Sequence, residues 1–271
     1  MEDIRQAVER AKAELGSHGA PMRGPISNRV RNDAPIERKA PLRQATLQSS
    51  FLQSRRIVAH DGTDPRSLTF DILRTEVLGT MDFKGWRTLA ITSPTPGCGK
   101  TFLSINLSLS MARERERQVS LVDFDLRRPQ IARTLNLKGE VGVVDVLEGQ
   151  RALDEATINV RVGNSDLEVI PTTSGCSNAS DLVSSSATKK FLDGLSRRAQ
   201  GEIVVIDLPP LLTGHDVISV LPHIDCVILV AAVGTSKVAE IEQCKKYLQG
   251  TDMVRFVLNK APPGAAHGYY Y

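Results

Sequence analysis

The 271-residue sequence predicts an α/β fold: a doubly wound, mostly parallel sheet with helices on both faces. Three observations predict it. Six short apolar runs recur from Thr88 onward, helical patterns separate most of them, and no internal repeat interrupts the order. Strands that alternate with helices imply right-handed crossovers and a parallel sheet. The runs are continuously apolar rather than alternating, as strands covered on both faces are.

The elements follow in order. Leu68 to Met81 reads as an amphipathic helix. Thr88–Thr92 is the first apolar strand, followed by a Gly-rich turn and a helix over Lys100–Arg113. Gln118–Asp123, Leu167–Pro171, Glu202–Asp207, Cys226–Ala231 and Met253–Leu258 are the later strands. Ala187–Arg198 and Lys237–Leu248 are helical patterns among them.

Residues 1–60 differ in character. After a short charged helical pattern from Ile4 to Leu15, Pro21, Pro25, Pro35 and Pro41 break any long helix, and Arg is frequent. With few large apolar side chains to offset ordering entropy, the segment is expected to be mostly flexible. It reads either as a basic arm for an acidic membrane surface or membrane partner, or as a solvated tail. Residues 61–260 then form the folded domain, and 261–271 a flexible tail.

Composition narrows the function. A hydrophobic content of 41% suits a sizeable soluble core. No run reaches the roughly 18 apolar residues of a membrane span. Met1-Glu2-Asp3-Ile4-Arg5 is charged and lacks an apolar signal core. A cytoplasmic chain is expected, with any membrane association supplied by a partner. Cys98, Cys176, Cys226 and Cys244 include no Cys-x-x-Cys pair, so neither disulfides nor structural zinc are expected. A net charge of +3 does not argue for nucleic acid as a partner.

Ser93-Pro-Thr-Pro-Gly97-Cys-Gly99-Lys100-Thr101 lies between a strand and a helix, the context of a P-loop. Gly97 and Gly99 let backbone N–H groups curl toward phosphate, and the helix adds the positive end of its dipole. Lys100 supplies a charge for the β- and γ-phosphates and the Thr101 hydroxyl a ligand for Mg²⁺. The first Gly of the strict motif is replaced by Pro94. ATP with Mg²⁺ is the expected ligand, and the fold is expected to be of the P-loop NTPase kind.

Three carboxylates end strands: Asp123 and Asp125 after one, Asp207 after another. In open parallel sheets ligands gather at the carboxyl ends of the strands, where the P-loop also lies. Thr101, Asp125 and Asp207 are candidate metal ligands. Asp123 is the candidate base for an attacking hydroxyl. The alternative for such strand-end Asp residues is helix capping.

Ser93–Thr101, Leu121–Pro129 and Val204–Pro210 together resemble the Walker A, A′ and B motifs of the bacterial tyrosine kinases (BY-kinases) of capsule and exopolysaccharide assembly. Asp123-x-Asp125-x-Arg127-x-Pro129 is the most specific part, and the resemblance covers roughly Ser67 to Tyr271. Asn178–Leu195 looks like a further family segment. The resemblance implies ATP-dependent autophosphorylation of C-terminal tyrosines, in trans within an oligomer. It assigns Lys100, Asp123, Asp125 and Asp207 to catalysis. Nucleotide contacts fall on Pro96, Gly97, Cys98, Gly99, Lys100, Thr101 and Phe102, with Asn259 at the strand end that meets adenine. It further implies a separate membrane chain-length (co-polymerase) protein as activator, and a tyrosine phosphatase. One departure stands out: the family's Glu-x2-Arg-x2-Arg helix motif aligns with Leu68, Asp71 and Arg74, so only the final Arg is kept.

The tail adds its own observation. Of four tyrosines, Tyr269, Tyr270 and Tyr271 are the last three residues, after the breakers Pro262, Pro263 and Gly264. Extended, the stretch after Lys260 spans about 36 Å, enough to enter a neighbour's site. An aromatic anchor is the alternative. Two other functions compete with the kinase. One is an ATPase switch of the septum-site or partition kind, whose signature Lys position is Thr95 here. The other is a nucleotide-dependent scaffold. Cys98 is read as a small loop filler or as a redox-sensitive thiol. Arg127 and Arg128 are read as phosphate or subunit contacts, or as surface ion pairs.

Overall fold

The computed structural model describes residues 41–114, 117–196, 202–214 and 216–262. The strands are β1 (Arg43–Thr46), β2 (Thr88–Thr92), β3 (Val119–Asp123), β4 (Ile158–Val162), β5 (Ser165–Ile170), β6 (Ile203–Asp207), β7 (Cys226–Ala232) and β8 (Asp252–Asn259). The α-helices are α1 (Ser49–Ser54), α2 (Leu68–Lys84), α3 (Lys100–Ala112), α4 (Ile131–Leu135), α5 (Val143–Leu147), α6 (Leu153–Ala156), α7 (Ala179–Val183), α8 (Ser186–Ser196), α9 (Asp216–Val220) and α10 (Val238–Tyr247).

All eight strands form one sheet in the order β1-β4-β5-β3-β6-β2-β7-β8. From β5 to β8 the neighbours are parallel. The β4–β5 hairpin reverses direction, and β1 runs parallel to β4. The expected mostly parallel, doubly wound sheet is therefore present, with an opposed pair at one edge.

Every residue of β2, β3, β6 and β7 is buried. Successive side chains point to opposite faces, so each strand feeds two cores. On one face Leu89, Ile91, Leu121, Val205 and Ile228 pack with Val77 and Met81 of α2 and with Leu103 and Leu107 of α3. On the other, Ala90, Val122, Ile206 and Leu229 pack with Phe191, Leu192 and Leu195 of α8 and with Ile241 of α10. Each buried Leu, Ile or Phe contributes about 1.5–3 kcal/mol relative to exposure. Helix α2 stops at Gly85, whose φ of 70° closes the helix in the left-handed conformation that costs Gly least.

The structure corrects the domain boundary at residue 60. Residues 43–60 are part of the fold: β1 joins the sheet and α1 follows it. Leu52, Ile57, Val58 and Ala59 are buried. Asn106 of α3 holds this segment, its Oδ1 accepting from Val58 N (2.9 Å) and Ala59 N (3.2 Å). The four apolar side chains and one buried polar anchor outweigh the entropy that composition alone assigns to the segment. Residues 1–40, with the proposed basic arm, lie outside the described residues, as does the tail from residue 263.

Asn106→Leu keeps the side-chain volume but leaves the Val58 and Ala59 N–H groups unpaired. It should destabilise the chain by roughly 2–4 kcal/mol in urea unfolding. A loss below about 0.5 kcal/mol, the scale of an ordinary surface substitution, would show that residues 41–60 are not integral to the domain.

Candidate nucleotide and phosphoryl-transfer site

The loop between β2 and α3 takes its shape from its glycines and from braces on its flanks. Gly97 and Gly99 have φ of 83° and 93°, a region that other residues enter only at a cost. Thr92 Oγ1 donates to Pro209 O (2.8 Å), while Leu211 N and Leu212 N donate to Ser93 O (2.8 Å) and Pro94 O (3.1 Å). The segment after β6 thus holds the first half of the loop. Gly99 caps α3, so Lys100 and Thr101 open the helix and the loop leads into its positive end.

Strand order brings the carboxylates here. β3, β6 and β2 are neighbours, with Asp123 in register with Asp207, and Asp207 with Ile91. Lys100 Nζ lies 3.0 Å from Asp125 Oδ2 and 3.5 Å from Asp207 Oδ2. Thr101 Oγ1 donates to Asp207 Oδ2 (2.6 Å) and Ser104 Oγ to Asp207 Oδ1 (3.1 Å). Ser104 was missed from sequence, although its place three residues after Thr101 puts both on one helix face.

Asp123 is wholly buried and makes more contacts than a free base would. Its Oδ2 accepts from Gln130 N (3.0 Å) and Ile131 N (2.9 Å) at the start of α4. Its Oδ1 accepts from Asp125 N at a longer 3.3 Å. The capping alternative therefore holds for this residue, alongside its place in the carboxylate cluster.

Electrostatics set the protonation states. Burial first, and then the charge of Asp207, push Asp123 up to about 8 against the Ile131 amide and Lys100. Burial also pushes Asp207 up, opposed by Lys100, Thr101 and Ser104. For Lys100 burial favours the neutral amine, but Asp207 and Asp125 outweigh it and the ammonium persists above its ordinary range.

Other predicted residues are placed as follows. Pro96, Gly97, Cys98, Phe102 and the rest of the loop set lie on the loop or the first turn of α3. The Cys98 side chain is fully buried, and its Sγ donates to Thr95 O (3.2 Å). That removes the solvent access a redox-sensitive thiol needs. Asn259 ends β8, and its Nδ2 donates to Cys98 O (2.9 Å). Arg127 and Arg128 are exposed beside the cluster, with the Arg127 guanidinium bonded to Ser180 Oγ of α7. Tyr269, Tyr270 and Tyr271 lie outside the described residues.

The donors fit ATP-Mg²⁺. Thr101, Asp125 and Asp207 offer oxygen alone, as a hard cation requires. Among the described residues no three His, Cys, Asp or Glu side chains form a metal cage.

A carboxyl held neutral in the fold retains a proton that the unfolded chain has released. Asp123 therefore stabilises the fold fully below about 4, its ordinary range, and loses that contribution as the pH rises through about 8. Thermal melts of wild type and Asp123→Asn should separate between pH 5 and 8, with the variant gaining relative stability as the pH rises. A constant difference across that range would contradict the raised protonation equilibrium.

Comparison with known proteins places the chain in a family. Residues 86–252 match the AAA domain family. Tyrosine-protein kinase ptk of Acinetobacter johnsonii is 29% identical over 183 residues, covering 67% of this chain but only 24% of that protein. Tyrosine-protein kinase YwqD of Bacillus subtilis is 27% identical over 220 residues, 77% of this chain and 89% of that protein. The solved BceF tyrosine kinase domain superposes with a TM-score of 0.66 at 27% identity, covering 82% of this chain and 94% of that one. The chain thus spans about a quarter of the length of the first relative and most of the second. It belongs to the AAA domain family, and these similar proteins are named tyrosine kinases.

Proposed function

We propose that the chain is an ATP-dependent protein-tyrosine kinase that phosphorylates its own C-terminal tyrosines, Tyr269, Tyr270 and Tyr271, in trans. The supporting observation is the convergence of Lys100 Nζ, Thr101 Oγ1, Asp125 and Asp207 within hydrogen-bonding and ion-pair distance at the end of the loop. A lysine, a hydroxyl and two carboxylates around a Gly-rich turn are the parts that P-loop phosphoryl transfer uses.

In this reading the loop amides and Lys100 hold the β- and γ-phosphates. Thr101, Asp125 and Asp207 hold Mg²⁺, which would neutralise charge on the transferred phosphoryl group. A tyrosine oxygen from another copy bonds to the γ-phosphorus as the bond to the β–γ bridging oxygen breaks, and ADP leaves. The phenol proton passes to Asp123 in its ionised form; among the described residues its Oδ1 carries only the long contact from Asp125 N. Each phosphate adds about −1.5 to −2 charge to the tail, which favours its release from an acidic site.

The partners proposed with this activity are a membrane chain-length protein as activator, a second copy as substrate and a tyrosine phosphatase to reset the tail. The process would be polysaccharide polymerisation and export at the inner face of the membrane. Among the described residues no helix is long and apolar enough to cross a membrane. One observation favours the ATPase-switch or scaffold reading instead: Asp123 is fully buried and bonded to α4, so transfer to tyrosine needs that cap to loosen.

Intact mass after incubation with ATP and Mg²⁺ decides between them. Wild type should gain phosphate in steps of one group. Lys100→Met should gain none, and a variant with all three terminal tyrosines changed to Phe should lose most of the gain. ATP turnover without added mass, even with candidate activator segments present, would sink the kinase reading in favour of the switch.

A further inference from the structure

Two residues hold the phosphate loop from the neighbouring strands: Ser236 just after β7, which pairs with β2, and Asn259 at the end of β8. β7 and β8 are neighbours at one edge, and their carboxyl ends finish behind the loop. Asn259 closes β8. Its Nδ2 donates to Cys98 O (2.9 Å), its Oδ1 accepts from Lys260 N (2.8 Å), and its own carbonyl accepts from Val233 N (3.0 Å). Both ends of the amide are occupied, and only one orientation satisfies both. A Cβ on Gly99 would collide with this amide, so the glycine lets the loop and Asn259 meet.

Ser236 makes the second hold. Ala232 N donates to Ser236 Oγ (3.0 Å), which lies 3.3 Å from the buried Cys98 Sγ, and Sγ donates to Thr95 O (3.2 Å). With the Cys98 proton directed at Thr95, the Ser236 hydroxyl donates to the sulfur. The chain of donors runs one way, from the end of β7 into the loop. Asn259 thus grips the backbone of Cys98 and Ser236 its side chain, at the residue between the two left-handed glycines. That residue's backbone fixes where the neighbouring N–H groups point.

We infer that Asn259 and Ser236 are positioning residues for the phosphate cradle, acting through Cys98 from behind the loop, and that Asn259 serves the phosphates rather than the adenine. The inference rests on the reading of residues 93–101 as a phosphate site. Because a cradle residue acts on phosphate whatever base is attached, a ligand without a base reports it.

The test uses the full chain and two ligands with Mg²⁺: a fluorescent ADP analogue, and inorganic tripolyphosphate that displaces it. Asn259→Leu is close in size, uncharged and without a donor. It should weaken both ligands by the same factor, about tenfold, as the loss of one hydrogen bond to a part-buried carbonyl predicts. Ser236→Ala should weaken both by about threefold. Melting curves of the same proteins keep the titrations on folded material. A loss confined to the ADP analogue would assign Asn259 to the base and overturn the inference. Unchanged affinity of Asn259→Leu for both ligands would overturn it as well, and an unchanged Ser236→Ala would remove the second hold. Wild type that tripolyphosphate cannot occupy would overturn the phosphate-site reading itself, a failure visible before any substitution is made.

Discussion

The constraint on which the site depends is the sharing of one buried ammonium among strand-end carboxylates. Lys100 stands between Asp125 and Asp207, with Asp123 next in register. One positive charge does not balance three negative ones, and burial raises the cost of the excess. The fold answers with donors: Thr101 and Ser104 on Asp207, and the α4 amides on Asp123. The remaining excess appears as the raised protonation equilibria of Asp123 and Asp207. A divalent cation bound by oxygens relieves the same excess. Phosphate brings negative charge toward Lys100 and the start of α3, where the positive groups lie.

This arrangement depends on sheet order more than on any single loop. β2 supplies the P-loop, β3 the Asp pair and β6 the third Asp, although more than 100 residues separate Lys100 from Asp207. Their adjacency at the sheet centre is what turns three distant motifs into one site.

Those motifs were legible because each pairs a fully buried strand with chemistry at its end. Val-Ser-Leu-Val-Asp and Ile-Val-Val-Ile-Asp read the same way in one dimension and in three. β1 was not legible: Arg-Gln-Ala-Thr is short, largely exposed and polar, and becomes a strand only because β4 offers it an edge. The β4–β5 hairpin did leave a signal. Gly163-Asn164 between two runs is a two-residue turn, and Gly163 takes φ of 57°. Leu52, Ile57 and Val58 were outvoted by the arginines around them, because composition counts residues and burial depends on placement. Asn259 was placed at the nucleotide from sequence, but its hydrogen bond to the loop was not readable there. Its contact with Cys98 spans 161 residues and depends on how far β8 extends beside β7.

Helix α3 joins the site to the rest of one face. Its first turn opens the phosphate cradle, and its middle holds residues 58–59 through Asn106. At its far end, Ser110 Oγ donates to Asp71 Oδ1 (2.5 Å) and Arg113 Nη1 lies 2.8 Å from the same oxygen. Arg74 joins this group through Asp71 and Glu114. Asp71 takes the place that the sequence resemblance assigns to an Arg of the helix motif. Here it is engaged by α3 of its own chain, and so is the Arg74 that the motif retains. The charges of Asp71 and Arg74 thus tie α2 to α3. The helix that bonds Asp71 through Ser110 and Arg113 opens on Lys100 and Thr101. One helix thus carries both the contacts to α2 and the Lys100 and Thr101 contacts to Asp207.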